Sequence, residues 1–443
     1  MAYSRTSLGS FLRHAKSGLA SAIAKGDKVK FVIGNESADL DSLTSSLLLA
    51  YIRSTAPPAN ASSRIYYPVL NIPARDIELR PEFLALLPHA NVDPGSLITL
   101  DDLRKRETSP FALAPQATSW ILVDHNALQG SLGSVYSARV IGCIDHHEDE
   151  HQIPDDTGDE PRIIKKSGSC TSLVTNYCQG MWDKISADAS TSNEMKAGDD
   201  AASLGRDAAS SSLWDTQVAK LAIASILIDT NNLRDKVTEH DVLAVKYLES
   251  KIIASQEGSK SYSRDQFFKE ISEAKQNIGQ LKLHDILRKD YKEWTEGGQV
   301  LGISSVVKDI DFLVEKAAQE GSGGNKFELF VQAVDSFAKD RGLGLYAIMT
   351  TSTSPEGEFQ RELFVSATNA QTVEAAAKFV NHSATELGLA KWRGPVDGVE
   401  YSRADCWRRI WQQNNVAHSR KRVAPLLRDA MKSEDTEGGW QKQ

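Results

Sequence analysis

The chain has 443 residues, of which 41% are hydrophobic and 25% charged, the balance of an ordinary globular protein with enough length for two or three domains. Its formal charge of −8 argues against a general nucleic-acid binder, whose footprint is basic. No stretch approaches the ~18 apolar residues of a membrane span, and four cysteines (Cys143, Cys170, Cys178, Cys406) without CxxC spacing argue against a disulfide framework or a cysteine zinc site and for a reducing compartment.

The first 26 residues contain no acid and carry Arg5, Arg13, Lys16 and Lys25, a composition like that of a mitochondrial transit peptide. Leu8, Phe11, Leu12, Ala15 and Leu19 fall on one helical face, however, and a strand follows at Val29–Ile33. The preferred reading is therefore a helix packed on the sheet it leads into, in a cytoplasmic protein, with a mitochondrial location as the alternative. After that strand, Ser42–Ile52 reads as a Leu-rich helix. Trp120–Val123 and Val140–Ile144 are further buried-strand candidates. Short apolar strands separated by helices predict an α/β domain with a covered parallel sheet.

Residues 186–212 are rich in Ala, Ser and Asp with few large apolar side chains, and read as a flexible insertion. A helix is predicted over Leu213–Thr230. A linker is expected at 251–264, ending the first domain near residue 250. A second α/β domain, with a mixed sheet, is expected over 265–435, with a helix at Gln266–Ile278 and strands at Gln299–Val307, Leu345–Thr350 and Glu362–Ser366.

The polar residues that carry chemistry follow the apolar runs. They are Asn35-Glu36-Ser37-Ala38-Asp39-Leu40-Asp41-Ser42, Asp124-His125-Asn126, Asp145-His146-His147 and, after the late helix, Asp229-Thr230. Open α/β sheets place their sites at these strand ends. Asp39 or Asp41 alone reads as a helix cap, and Asp124 or Asp145 alone as a turn residue. Taken together, carboxylates and imidazoles without thiols form a ligand set for divalent metals. Mg²⁺ and Mn²⁺ suit carboxylate and water, while imidazole shifts the balance toward Mn²⁺, Co²⁺ or Zn²⁺. Four carboxylates and one or two imidazoles suit two ions ~3.5–4 Å apart, sharing a carboxylate and a water.

These four motifs, in this order, resemble those of the DHH phosphoesterase superfamily. Downstream, Arg288-Lys289-Asp290-Tyr291-Lys292 and Ser419-Arg420-Lys421-Arg422 resemble the DHH-associated domain of the family II pyrophosphatase and exopolyphosphatase branch. The resemblance implies an active site in the crevice between two domains. It also implies roles: Asp39 would bind a first metal, Asp41 a second, and Asp124 both, with His146 and Asp229 completing the second site. His147 would face the substrate as donor or acid, and Asp145 would orient the histidine pair. Lys292, Arg420 and Lys421 would clamp phosphates. Family II pyrophosphatases carry His where this chain has Asn35, which is read here as substrate-binding. The Asn35–Ser42 run is closer to eukaryotic exopolyphosphatases and prune proteins.

The expected activity is accordingly removal of terminal phosphate from inorganic polyphosphate, by a monomer using two divalent ions (Mg²⁺, Mn²⁺ or Co²⁺), with no nucleic-acid or membrane partner. Alternatives are an inorganic pyrophosphatase, a prune-like phosphodiesterase or short-chain polyphosphatase, and a DHH-like scaffold without catalysis. The Gly168–Ser172 segment, opening an apolar helix, is a weak phosphate-binding candidate. Arg75 and Arg80 are read as solvated surface arginines. The acids are unevenly spread. Glu148–Glu160 holds seven and no Lys or Arg, whereas Lys391–Lys432 carries a local charge of +6.

Overall fold

A computed structural model describes residues 5–58, 64–103, 113–194, 201–354, 356–394 and 400–432. The chain divides into two compact units, 1–277 and 278–443.

The first unit is built on a six-stranded, wholly parallel sheet. Its strands are β1 (Val29–Ile33), β2 (Tyr66–Leu70), β3 (Ile98–Thr99), β4 (Thr118–Val123), β5 (Val140–Asp145) and β6 (Arg162–Ile164), in the order β3-β2-β1-β4-β5-β6. β1, β2 and all but one residue each of β4 and β5 are buried, because helices cover both faces. Strand order reverses between β1 and β4, so the crevice at their C-terminal ends is where such a sheet binds ligands.

Helix α1 (Leu8–Lys25) is capped by Ser7 and by Gly26 in the left-handed conformation. It buries Leu8, Leu12, Ala15 and Leu19 in the first-unit core. Arg5, just ahead of it, bonds Ser211 Oγ at 2.9 Å and pairs with Asp215. The acid-free segment is thus built into the core, as the packed-helix reading expects. α2 (Leu40–Thr55) is buried along nearly its whole length, between the sheet and two long helices, α3 (Cys170–Glu194) and α4 (Ala201–Asp229).

Those two helices revise the predicted insertion at 186–212. Residues through Glu194 and from Ala201 onward are helical, and residues 195–200 lie outside the described residues. The alanines that make the segment poor in large apolar groups also make it a good helix former. The predicted linker at 251–264 is likewise structured. α5 (Glu239–Ile253) runs into a short helical turn at Gln256–Ser261, and α6 (Arg264–Gln276) follows. Phe267 and Ile271 of α6 pack into the first-unit core, so the division falls after Asn277.

The second unit has a mixed sheet of β7 (Tyr291–Glu296), β8 (Gln299–Val306), β9 (Leu345–Thr350), β12 (Glu362–Ala367), β13 (Leu389–Lys391), β14 (Tyr401–Ser402) and β15 (Trp407–Gln413), with β10 (Ser352–Thr353) and β11 (Phe359–Gln360) forming a small hairpin. β8 and β9 are parallel and the other pairs antiparallel. One face packs on α7 (Ile310–Glu320) and α8 (Lys326–Asp340), the other on α9 (Ala370–Leu387) and α10 (Arg420–Met431).

Candidate metal centre

The first motif turns sharply from β1 into α2. Gly34 permits the turn, since a Cβ there would lie 2.6 Å from Ser42 Cβ. This closeness lets Ser42 Oγ accept from the Asn35 N–H at 3.0 Å and donate to Asp124 Oδ2 at 2.7 Å. Asp39 caps α2, accepting from the Ser42 N–H at 3.0 Å, so its helix-cap reading holds. Ala38, with φ 43°, bends the chain into the cap.

Asp124 lies at the end of β4 with φ 60°. Left-handed backbone is uncommon for residues other than glycine, and such strain collects at functional sites. Its carboxylate is clamped on both sides. Oδ2 accepts from Asn35 Nδ2 and Ser42 Oγ, each at 2.7 Å, while Oδ1 lies 3.1 Å from His146 Nε2 and 3.8 Å from His147 Nδ1. The Asn35 carbonyl is taken by the N–H and hydroxyl of Ser37. Asn35, expected at the substrate, therefore holds Asp124 with one end and its own loop with the other.

Asp145 ends β5 and orients the histidines. Oδ1 accepts from the His146 N–H and from His147 Nδ1, both at 2.8 Å, and Oδ2 from Asn126 Nδ2 at 2.6 Å. Burial pushes this carboxyl up, but the hydrogen bond and charge of His147, with help from His146 and Asn126, hold it well below the usual carboxylate range. His146 Nδ1 donates to Ser167 O at 3.1 Å. That bond turns Nε2 toward Asp124 and, at 3.8 Å, Asp41, the orientation that a metal-ligating imidazole takes.

Asp41 reaches the start of α3. Its carboxylate accepts from the N–H groups of Cys170 (2.6 Å) and Thr171 (2.8 Å) and from the hydroxyls of Ser169 and Thr171, both at 2.7 Å. The Gly168–Ser172 segment is an anion site, as its residue types imply, but the anions are the protein's own Asp41 and Asp241. Asp241, fully buried on α5, accepts from Ser167 Oγ, Ser172 Oγ and the N–H groups of Gly168 and Ser169. Asp229 ends α4 in the same neighbourhood. Its carboxyl is driven well above the usual range by burial and by the charges of Asp41 and Asp39. Asp124 is pushed up to about 7 by burial, Asp39 and Asp41, against the pull of His146.

Three features fit this donor set to divalent cations. Asp229 Oδ2 is buried without a hydrogen-bond partner among the described residues. The His146 Nε2 edge confronts Asp124 Oδ1, two groups that need a proton or a metal between them. Donor atoms of Asp124, His146 and His147 lie within 4.8 Å of one another. Asp41 Oδ2 lies 3.8 Å from His146 Nε2, while Asp39 and Asp229 fall outside that 4.8 Å group.

Arg80 departs from its expected place at the surface. It is 2% exposed and donates to Ser37 O (2.6 Å) and Ala38 O (2.9 Å), bracing the first-motif loop. Arg75 is exposed, as read. In the second unit the two basic motifs converge. Arg420, first residue of α10, donates to Asp290 O (3.0 Å) and Asp290 Oδ1 (2.7 Å). Burial raises Asp290, but Arg420, Lys292 and Lys289 together hold it below its ordinary value. Lys421 follows on the exposed side of the helix start.

Sequence reading singled out neither Ser42 nor Asn126 beyond their motifs, and missed Asp241 altogether. Its one local signal, a capping box with Thr238, speaks only of a helix start.

A profile described as "DHH family, N-terminal domain" matches residues 30–202, and one described as "DHHA2 domain" matches residues 269–430. A Schizosaccharomyces pombe protein named "Putative exopolyphosphatase" is 32% identical over 432 residues, covering 96% of this chain and 98% of its own. The bovine and human proteins named "Exopolyphosphatase PRUNE1" are 24% and 23% identical, each covering 94% of this chain and 78% of its own. Among solved structures, one titled "Crystal structure of Methanococcus jannaschii putative family II inorganic pyrophosphatase" aligns with a TM-score of 0.53 at 20% identity. That alignment covers 91% of this chain and 99% of the other, a likeness of fold. With both profiles matched and a full-length relative at this identity, the chain belongs to the DHH family, with a DHHA2 domain as its second unit.

Proposed function

We propose that the chain is a metal-dependent exopolyphosphatase that hydrolyses the terminal phosphoanhydride of inorganic polyphosphate and releases orthophosphate. The observation carrying this reading is the buried acidic centre around Asp124, where burial, Asp39 and Asp41 raise the carboxyl and donor atoms of His146 and His147 lie within 4.8 Å of it. The full-length likeness to an exopolyphosphatase-named relative supports the choice of substrate class.

When bound, two divalent ions (Mg²⁺, Mn²⁺ or Co²⁺) would neutralise these carboxylates and lower the pKa of a shared water. Asp39, Asp41, Asp124, His146 and Asp229 would hold them. Asn35 and Ser42 fix Asp124, the carboxylate assigned to both ions. The α3 start fixes Asp41. Asp145 fixes His147, which offers its Nε2 edge to a phosphate oxygen. Water attacks the terminal phosphorus in line, the anhydride P–O bond breaks, and the chain leaves one phosphate shorter. Phosphoryl transfer of this kind is mostly positioning and charge stabilisation. The remaining phosphates are assigned to Lys292, Arg420 and Lys421, with Arg420 suited to bidentate contact.

The test is phosphate release from long polyphosphate, tripolyphosphate, pyrophosphate and a cyclic nucleotide, with Mg²⁺, Mn²⁺ and Co²⁺ compared. Fastest turnover is expected on polyphosphate. Fastest turnover on pyrophosphate or the nucleotide would overturn the reading.

A further inference from the structure

Arg361 lies between β11 and β12 and is 9% exposed. Its Nε donates to Val416 O at 2.7 Å, and its guanidinium lies 5.1 Å from the Phe359 ring centroid. Several other arginines of this region face a carboxylate: Arg408 with Asp335, Arg420 with Asp290, Arg422 with Glu386 and Arg428 with Glu296. Among the described residues Arg361 has no such ion pair. Burial alone bears on it and lowers its pKa, yet a guanidinium stays protonated in any protein setting. Arg361 is therefore a fixed cation, partly stripped of water, with no carboxylate partner among the described residues, at a free-energy cost that an arriving anion would offset.

Its placement identifies the anion. Arg361 O accepts from the Gln413 N–H at 2.9 Å, extending the register in which Glu362 pairs with Gln412. By strand alternation Arg361 shares its face with Leu363, Val365 and Ala367, which pack against Val423, Ala424 and Leu427 of α10. Lys292 lies opposite Ile303 on that same face, and α10 begins there with Arg420 and Lys421. β7 and β12 are three strand spacings apart, about 14 Å. Val416, which holds Arg361, precedes Arg420 by four residues, no more than about 15 Å of chain. Arg361 and the Asp290–Arg420 corner thus belong to the same side of the sheet, separated by at least about 14 Å across the strands.

We propose that Arg361 is a distal phosphate subsite, which takes a phosphate of an inorganic polyphosphate chain several units from those at Lys292 and Arg420 and so favours long chains over short ones. This rests on the exopolyphosphatase reading and adds a length preference to it. The test compares the unaltered protein with Arg361→Gln and Arg361→Lys on tripolyphosphate and on chains of about a hundred phosphates. Arg361→Gln is expected to raise KM for long chains about tenfold relative to KM for tripolyphosphate, the loss of one charge-assisted contact, and Arg361→Lys to recover part of it. An unchanged KM ratio in Arg361→Gln overturns the subsite. Calorimetric binding of long polyphosphate to the chelated full-length protein provides a second readout. Equal affinity of Arg361→Gln and the unaltered protein, in variants with matching thermal melts, also overturns it. Absence of phosphate release at every chain length by the unaltered protein defeats the activity reading instead, and the binding comparison then decides the subsite alone.

Discussion

Replacing Asp124 by Asn should abolish activity and yet stabilise the protein once metal is removed. Burial, Asp39 and Asp41 push the Asp124 carboxyl up to about 7, against ~3.9 for an unfolded aspartate. Between those values the folded chain binds a proton that the unfolded chain has lost. Stability from this group is therefore complete below about pH 4 and falls as pH rises toward 7. A shift of about three units at ~1.4 kcal/mol each gives a ceiling of about 4 kcal/mol above neutrality. An asparagine keeps the shape without the charge. Its carbonyl can accept from Asn35 and Ser42 as Asp124 Oδ2 does, and its amide can donate toward His146 Nε2. Urea unfolding in chelator, from pH 4.5 to 8, is the assay. Asp124→Asn should match the unaltered protein near pH 4.5 and exceed it by up to ~4 kcal/mol at pH 8. Added Mn²⁺ should reverse the order, because the variant loses the carboxylate assigned to both ions. Phosphate release should drop by ~10³-fold or more. A chelated variant no more stable than the unaltered protein at pH 8, or one retaining a tenth of its activity, would refute the argument.

Asp241→Ala should loosen the loop that holds Asp41, lowering metal affinity by ~10–100-fold in a metal titration followed by thermal melting, with a stability loss of about 3 kcal/mol from the orphaned donors. Its depressed carboxyl pKa, set by hydrogen bonds from Ser172, Thr238 and Gly168 that outweigh burial, adds stability above about pH 4 that is lost as pH falls further. Arg80→Ala should cost about 2–3 kcal/mol by freeing Ser37 O and Ala38 O, whereas Arg75→Ala should stay within ~0.5 kcal/mol, as a surface change does. Leu12→Ala should cost ~2–5 kcal/mol in urea unfolding, the usual loss for a fully buried leucine. A neutral result there would contradict the packing of α1 into the core.

The parts of this site that sequence made visible are local. Each motif follows an apolar run, so strand ends and motif residues could be placed with no knowledge of which strands are neighbours. The hidden parts are contacts between distant segments. Arg80 and the Ser37 carbonyl are 43 residues apart, and nothing near Arg80 separates a brace from a solvated side chain. Asp241 reaches back 73 residues to Gly168. The Gly168–Ser172 segment shows the opposite error. Its residue types correctly signalled an anion at a helix start, but the chain itself supplies that anion. Over the described parts of 186–212 the chain is helical, against the reading from composition, which measures apolar burial whereas alanine favours helix through propensity. Arg361 gave no signal, since an unpaired arginine in sequence is the commonest kind.

The negative total charge also means something different inside the first unit. Glu160, in the acidic run, is buried with Lys30 at 2.6 Å and Arg53 at 2.7 Å, so even that run is not wholly surface. Among the described residues Asp124 and Asp229 have no Lys or Arg ion pair, and Asp41 is held by hydrogen bonds from the start of α3. Asp241 is stabilised by hydrogen bonds, and Asp145 by hydrogen bonds and the charges of His147 and His146, and both pKa values fall. Asp124 and Asp229 are raised by burial and by acidic neighbours. The same few elements satisfy two buried carboxylates yet leave Asp124 and Asp229 raised by Asp39 and Asp41, an arrangement in which a bound cation would favour their ionisation. If the centre binds metal as proposed, binding should release protons near neutral pH and affinity should rise with pH until Asp124 is deprotonated, as a metal titration in unbuffered solution would record.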